Sequence, residues 1–138
     1  AEQGALFEYV GVDVSAAMIE AARGLHVGHS RANFVVAAEP PASVDFAIAS
    51  GIFNVKLDND AAEWAAYIDA TLEMMHRVTR RGFAFNCLTA YSDPDRIRPD
   101  LHYADPGALF DLCKRKFSRN VALLHDYDLY EFTILVRK

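Results

Sequence analysis

The chain has 138 residues, 52% of them hydrophobic, and a formal net charge of -5 at pH 7, which fits one domain (residues 1–138) with a hydrophobic core. This acidic balance argues against a nucleic-acid partner or an anionic membrane surface. Two cysteines are too few for a disulfide framework, so we expect free thiols in a reducing cytosol.

No run of about 18 apolar residues and no signal-peptide pattern occurs in the sequence, so we expect a cytoplasmic protein with no membrane partner, unless the N-terminus has been trimmed. Residues 1–8 have the composition of a helix tail and a connection. A domain that begins with half a helix suggests that an upstream segment has been lost.

Residues 9–23 combine a strand, an acid and a helix start. An apolar strand over 9–12 ends on Asp13, and Ser15 can N-cap a helix over 16–23, with Gly24 after its end. An acid at the carboxyl end of a strand can accept hydrogen bonds from both hydroxyls of a ribose, and ligands bind at that edge of open α/β sheets. The stretch therefore predicts a nucleoside site. The structural alternative is that Asp13 serves only as a charge or cap for the helix.

The middle of the chain alternates strands and a helix. Strands are predicted over 33–37 and 44–50, although about six residues between them are too few for the crossover that parallel neighbours need. Asp60 is expected to cap a long helix that ends at 80–82, and a buried strand follows over 83–89.

The last third begins with a polar loop over 90–103, which by its length is functional or mobile. A helix follows with Asp105 as its cap, and strands over 121–125 and 130–137 form a hairpin with a corner at 126–128. Composition and periodicity thus predict an α/β domain that ends in an antiparallel hairpin.

The pattern Tyr-x-Gly-x-Asp-x-Ser-x-x-Met-Ile-x-x-Ala at 9–22 resembles the second strand and following helix of class I S-adenosylmethionine-dependent methyltransferases. The downstream order of elements is similar to that family through to the hairpin. The resemblance implies a Rossmann-like methyltransferase sheet, mostly parallel with a C-terminal antiparallel hairpin. It also implies that this chain is N-terminally truncated, because a first strand and a Gly-x-Gly-x-Gly turn come before this stretch in the family.

The resemblance implies S-adenosylmethionine as cofactor, with Asp13 on the ribose hydroxyls. The other implied cofactor contacts are Val14 and Met18 at the adenine, Ala38 and Glu39 near the adenine amine, and Ser50, Gly51, Ile52 and Phe53 at the methionine end. For Phe53, as for Phe85, a place in the core is the more common role. Methyl transfer needs no universal catalytic residue, because the cofactor supplies the leaving group. We assign no catalytic residue and no metal site.

The implied methyl acceptor is a small molecule. Candidate substrate-binding residues are Asn54, Tyr91, His102 and Tyr103. Asn54 could equally fix its own turn, and loops also carry such side chains for solubility alone. The sequence at 50–54, Ser-Gly-Ile-Phe-Asn, differs from the Asn/Asp-Pro-Pro-aromatic sequence of family members that methylate amide or base nitrogen. His125 and Asp126 are taken as structural, because the hairpin corner is expected far from the cofactor edge.

Without its first strand, the family's sheet order 3-2-1-4-5-7-6 loses its middle member. Strand 7–12 would then pair directly with strand 44–50, or leave a gap that a second chain could fill. One hypothesis is that this chain binds S-adenosylmethionine weakly or not at all. The alternatives are a catalytically silent remnant that self-associates through an exposed sheet edge, as a homodimer, or binds a partner, and a nicotinamide-nucleotide-binding domain that lacks its Gly-x-Gly-x-x-Gly turn.

Overall fold

A computed structural model describes residues 6–138. The chain divides into two compact units, Ala1–Ala42 and Ser43–Lys138, and each is described by itself. The helix tail predicted over residues 1–8 falls largely on residues 1–5, outside the described part, and residues 6–8 have no regular secondary structure. The single-domain assignment stays a prediction.

The first unit is a small βαβ arrangement. Strand β1 (Tyr9–Asp13) is followed by helix α1 (Ala16–Leu25) and by strand β2 (Ala32–Val36), which pairs with β1 in parallel. Ser15 caps α1 as predicted, because its Oγ accepts the Met18 amide at 3.3 Å.

The predicted end of α1 at Gly24 is wrong. The helix continues to Leu25, and the amide of His26 bonds the carbonyl of Ala22. A positive φ, at 93°, occurs instead at Gly28, in the turn that leads to β2. Gly24 thus lies inside the helix, where glycine costs about 0.5–1 kcal/mol relative to alanine.

The second unit is a four-stranded sheet with two long helices. Its elements, in chain order, are β3 (Val44–Ala49), α2 (Ala61–Val78), β4 (Thr79–Leu88), α3 (Pro106–Lys116), β5 (Asn120–Leu124) and β6 (Glu131–Arg137). The strand order is β3-β4-β6-β5, with β3 parallel to β4 and β6 antiparallel to both of its neighbours. A parallel sheet closed by an antiparallel hairpin was predicted and is confirmed. These strand directions place the carboxyl ends of β3, β4 and β5 at one edge, hereafter the carboxyl edge.

The short connection between β2 and β3 needs no crossover, because β2 pairs with β1 whereas β3 pairs with β4. Of the two alternatives left open for strand 7–12, direct pairing with strand 44–50 does not occur among the described residues. Within the described residues, β1 and β3 each pair on one side only, so each leaves a row of unpaired backbone groups on its other side.

The boundary between α2 and β4 differs from the prediction. The helix ends at Val78 and the strand starts at Thr79, so residues 80–82 are strand and do not end the helix. Gly82 fits there because a Cβ atom on it would lie 2.4 Å from the carbonyl oxygen of Val136 on β6. Arg80 reaches Asp45 on β3 in an exposed ion pair of 3.0 Å. A glycine after two arginines is typical of the end of a helix. Here Gly82 instead allows β4 to approach β6 closely.

The core of the second unit lies between the sheet and its helices. Its largest fully buried side chains include Phe53, Phe85, Leu72, Phe132 and Ile134. Cys87 and Cys113 are both buried free thiols, as predicted, and burial raises the pKa of each to about 12. In residues 6–138 there is no helix with the length and apolarity that crossing a bilayer requires.

Candidate functional site

Asp13 is the last residue of β1 and lies opposite Val36, the last residue of β2, so both parallel strands end at the same edge of their sheet. One carboxylate oxygen, Oδ1, accepts the Ser15 amide at 2.7 Å. No other described residue hydrogen-bonds the carboxylate, which leaves Oδ2 open. Asp13 therefore orders the start of α1, as the structural alternative proposed, and still offers an oxygen to a ligand.

Apolar surface lies exposed beside this carboxylate. Val14 is 74% exposed and Met18 is 61% exposed, although both are hydrophobic. After β2, the Ala37 amide bonds the Asp13 carbonyl at 3.0 Å, and Ala38 and Glu39 follow directly with exposed side chains. The residues predicted around the ribose and adenine thus follow the ends of two paired strands.

In the second unit, the loop after β3 is held by Asn86 of β4. Asn86 Oδ1 accepts the Gly51 amide at 2.7 Å, and its Nδ2 donates to Ser50 Oγ at 3.1 Å. Gly51 has a positive φ of 77°, which glycine adopts readily. Sequence reasoning missed Asn86, although a polar residue inside the apolar run 83–88 was a usable signal.

Phe53 and Asn54 anchor the same loop. Phe53 is 0% exposed and packs edge-to-face on Phe85, so its side chain belongs to the core, whereas Ile52 is 42% exposed. The carbonyl of Phe53 accepts the indole N–H of Trp64 at 2.8 Å. Asn54 Oδ1 accepts the Leu88 amide at 3.2 Å, so this side chain fixes β4 rather than only its own turn.

His102 and Tyr103 have structural contacts in the polar loop. The His102 amide bonds the carbonyl of Asn54 at 2.8 Å. Burial, with a smaller contribution from Lys56, lowers the pKa of His102. The Tyr103 hydroxyl accepts the Arg98 amide at 2.9 Å and donates to the Arg96 carbonyl. Their assignment to substrate binding stays a prediction.

Tyr91 lines an open cleft of about 770 Å³ at the hairpin corner. We call it the corner cleft, and its lining residues are Thr89, Tyr91, Asp93, His125, Asp126, Asp128, Leu129 and Tyr130. His125 Nε2 lies 2.8 Å from Thr89 Oγ1, directly after β4. The expectation that His125 and Asp126 lie far from this edge is wrong, because β5 runs parallel to β4 and both end at the carboxyl edge.

Replacing Asn86 with alanine is expected to loosen the loop at 50–51. The variant loses both side-chain bonds to Ser50 and Gly51, each of which contributes about 0.5–1.5 kcal/mol. Amide hydrogen exchange should therefore accelerate at Gly51. Asn59→Ala is the matched control, because the exposed side chain of Asn59 bonds only the Lys56 carbonyl among residues 6–138. Equal exchange at Gly51 in Asn86→Ala and wild type would contradict the assignment.

Comparison with known proteins gives one strong match in sequence. A Mycobacterium tuberculosis (strain ATCC 25618 / H37Rv) protein named "Putative methyltransferase Rv1506c" is 57% identical over 131 residues, which are 95% of this chain and 79% of that protein. No protein-family model matches the chain.

Solved structures share the fold at low identity. Magnesium protoporphyrin IX methyltransferase from Synechocystis PCC 6803 with bound SAH matches at a TM-score of 0.65 and 11% identity, over 95% of this chain and 64% of that chain. The same enzyme with bound SAM matches at a TM-score of 0.62 and 11% identity, over 95% of this chain and 59% of that chain. A chain of the Pnkp1/Rnl/Hen1 RNA repair complex matches at a TM-score of 0.61 and 8% identity, over 96% of this chain and 32% of that chain.

This chain spans less than two thirds of the length of those solved methyltransferase chains. At 11% identity the structural match shows the fold, which is Rossmann-like. The identity of 57% over most of both chains shows the family. The chain belongs to the class I S-adenosylmethionine-dependent methyltransferase family.

Proposed function

We propose that this protein transfers a methyl group from S-adenosylmethionine to a small-molecule acceptor. The observation that carries the proposal is Asp13, whose carboxylate stands at the shared end of two parallel strands with Oδ2 open. Family membership supplies the reaction type.

The residues of the first unit fit the nucleoside part of this cofactor. Asp13 would accept hydrogen bonds from the ribose hydroxyls. The side chains of Val14 and Met18, which are exposed to water, would be buried against the adenine. Glu39 would accept the adenine amine, beside Ala38. When bound, the cofactor supplies an activated methyl group on a sulfonium.

For the second unit, the assignment of Ser50, Gly51 and Ile52 to the methionine end rests on the family resemblance. Their loop is exposed and is held in place by Asn86. Phe53 can contribute there through its main chain alone, because its side chain has no exposed surface.

A small acceptor is favoured over a nucleic acid by charge. The net charge of -5 repels a polyanion, and the likeness to a chain of an RNA repair complex shows the fold alone. A solved neighbour is named as a porphyrin methyltransferase, which acts on a small molecule. We place the protein in the cytoplasm, where its two free cysteines would stay reduced.

Calorimetric titration of S-adenosylhomocysteine into the 138-residue chain tests the proposal, with a nicotinamide dinucleotide as the comparison ligand. Saturable binding of S-adenosylhomocysteine alone is expected. No binding at high ligand concentration would support the hypothesis that this chain does not hold the cofactor. Binding of the nicotinamide nucleotide instead would support the alternative domain type.

Self-association is a second proposal, and the unpaired sides of β1 and β3 favour it. Strands with unpaired backbone groups can pair with strands of a second copy. Sedimentation velocity over a range of concentrations is expected to show a dimer, and a monomer throughout would contradict it. Family membership favours an enzyme over a silent remnant.

A further inference from the structure

At the end of β4, Thr89 and His125 form a hydrogen bond that lines the corner cleft. Thr89 is 1% exposed, and its Oγ1 accepts the Tyr91 amide at 3.2 Å. The same hydroxyl lies 2.8 Å from His125 Nε2. The imidazole ring contacts Phe132, which is fully buried, at 5.9 Å between centroids. His125 is therefore oriented both by a hydroxyl and by the core.

These bonds favour one tautomer of His125. Thr89 is 1% exposed, so its hydroxyl hydrogen needs an acceptor inside the protein, and in the described part of the chain His125 Nε2 is the one within hydrogen-bond distance. A buried hydroxyl hydrogen without an acceptor is unfavourable. Nε2 therefore accepts, and in a neutral imidazole the proton then sits on Nδ1. No described group bonds Nδ1, so it is a donor without a partner.

The remaining polar groups of the cleft are mostly acceptors. The carboxylates of Asp126 and Asp128 have no hydrogen-bond or ion-pair partner among residues 6–138, whereas Asp93 accepts the Tyr130 hydroxyl. That bond to Asp93 raises the pKa of Tyr130, which keeps the phenol protonated. Tyr91 is 77% exposed and presents an aromatic face and a hydroxyl.

We propose that the corner cleft is the acceptor site of this methyltransferase and takes an uncharged acceptor that carries hydroxyl groups, one oxygen of which accepts a hydrogen bond from His125 Nδ1. The inference rests on the function proposed above. It adds the class of acceptor and assigns His125 as a specificity-determining residue.

The hydrogen-bond donors and acceptors of the corner cleft favour an acceptor molecule that carries hydroxyl groups. A hydroxyl both donates and accepts, so it can serve the carboxylates and the imidazole N–H at once. A protonated amine has no lone pair for the imidazole N–H. A carboxylate or phosphate would face the acidic side chains at 126 and 128, and none of the described residues that line the cleft is a lysine or an arginine.

The first test is the tautomer of His125, which needs no ligand. Long-range ¹⁵N–¹H spectra of histidine-labelled chain, taken near pH 8 where an ordinary histidine is neutral, report which ring nitrogen carries the proton. His125→Gln assigns the signals. We expect Nδ1–H in wild type and in Thr89→Ser, and a shift toward Nε2–H in Thr89→Val. Nε2–H in wild type would overturn the assignment.

The second test titrates three small probes that share a phenyl group: 1-phenylethane-1,2-diol, 2-phenylethylamine and mandelate. The diol is expected to move the His125 ring signals, and the amine and the acid to bind more weakly. His125→Gln should weaken diol binding roughly two- to tenfold, the range for one hydrogen bond. His29→Gln, in the first unit, is the control and should leave it unchanged.

Equal or tighter binding of the amine would overturn the hydroxyl class, and a diol that moves no His125 signal would overturn the site. Neither test contains the cofactor. A failed titration with S-adenosylhomocysteine therefore counts against the proposed function, whereas failure here with intact cofactor binding counts against the corner cleft alone.

Discussion

Asp13→Ala is expected to weaken the binding of S-adenosylhomocysteine by on the order of a hundredfold, as measured by calorimetry. A carboxylate that accepts hydrogen bonds from a ribose contributes about 1.5–3 kcal/mol per bond, more than a neutral group would. The variant removes both carboxylate oxygens of Asp13, including Oδ2, which no described residue bonds.

Asp13 also accepts the Ser15 amide at the start of α1, so a loss of affinity could reflect a disordered helix start. Asp13→Asn separates the two effects, because its amide oxygen can still accept the Ser15 amide while the charge is lost. We expect an intermediate affinity for Asp13→Asn. Glu20→Ala, on the exposed surface of α1, is the control and should bind as wild type does. Wild-type affinity in Asp13→Ala would remove the ribose assignment.

Gly82→Ala is expected to lower the free energy of unfolding by about 2–4 kcal/mol. The added methyl carbon would lie 2.4 Å from the Val136 carbonyl oxygen and 3.3 Å from the Arg137 Cα. Both are main-chain atoms of β6, so no side-chain rotation can relieve the overlap, and the β4–β6 pairing must shift. Urea unfolding followed by circular dichroism measures the effect.

Gly24→Ala is the matched glycine substitution, with the opposite expected sign. Nothing lies within 4 Å of a Cβ atom at Gly24, which sits inside α1. Alanine there should stabilise the helix by about 0.5–1 kcal/mol. If both variants unfold like wild type, the close approach of β4 and β6 at Gly82 does not limit stability.

The sequence was sufficient to predict features that depend on a few neighbouring residues, such as helix caps and strand ends. Ser15 and Asp60 both cap the helices predicted for them, with bonds to the amides of Met18 and Glu63. The hairpin of β5 and β6 was readable because alternating apolar residues flank a polar corner. Asp13 could be placed at a strand end because the strand and helix patterns meet there.

The errors concern features that only the pairing of distant residues decides. Residues 80–82 end no helix, because Gly82 is needed beside β6, more than 50 positions away in the chain. The position of His125 depends on β5 running parallel to β4, which no local pattern encodes. Asn86 hydrogen-bonds Gly51 and Ser50, which lie 35 and 36 positions earlier in the chain. The neighbours of a residue in the sequence therefore predict its secondary structure better than they predict which distant residue it contacts.

The single tryptophan of the chain lies at a position where it can report on the loop after β3. Trp64 donates its indole N–H to the carbonyl of Phe53, next to Ile52 and Gly51, and its ring is 4.7 Å from that of Tyr67. Indole emission depends on the hydrogen bond and on the polarity around the ring. Intrinsic fluorescence therefore provides a label-free optical signal for any ligand that displaces this loop, without a second tryptophan to obscure it.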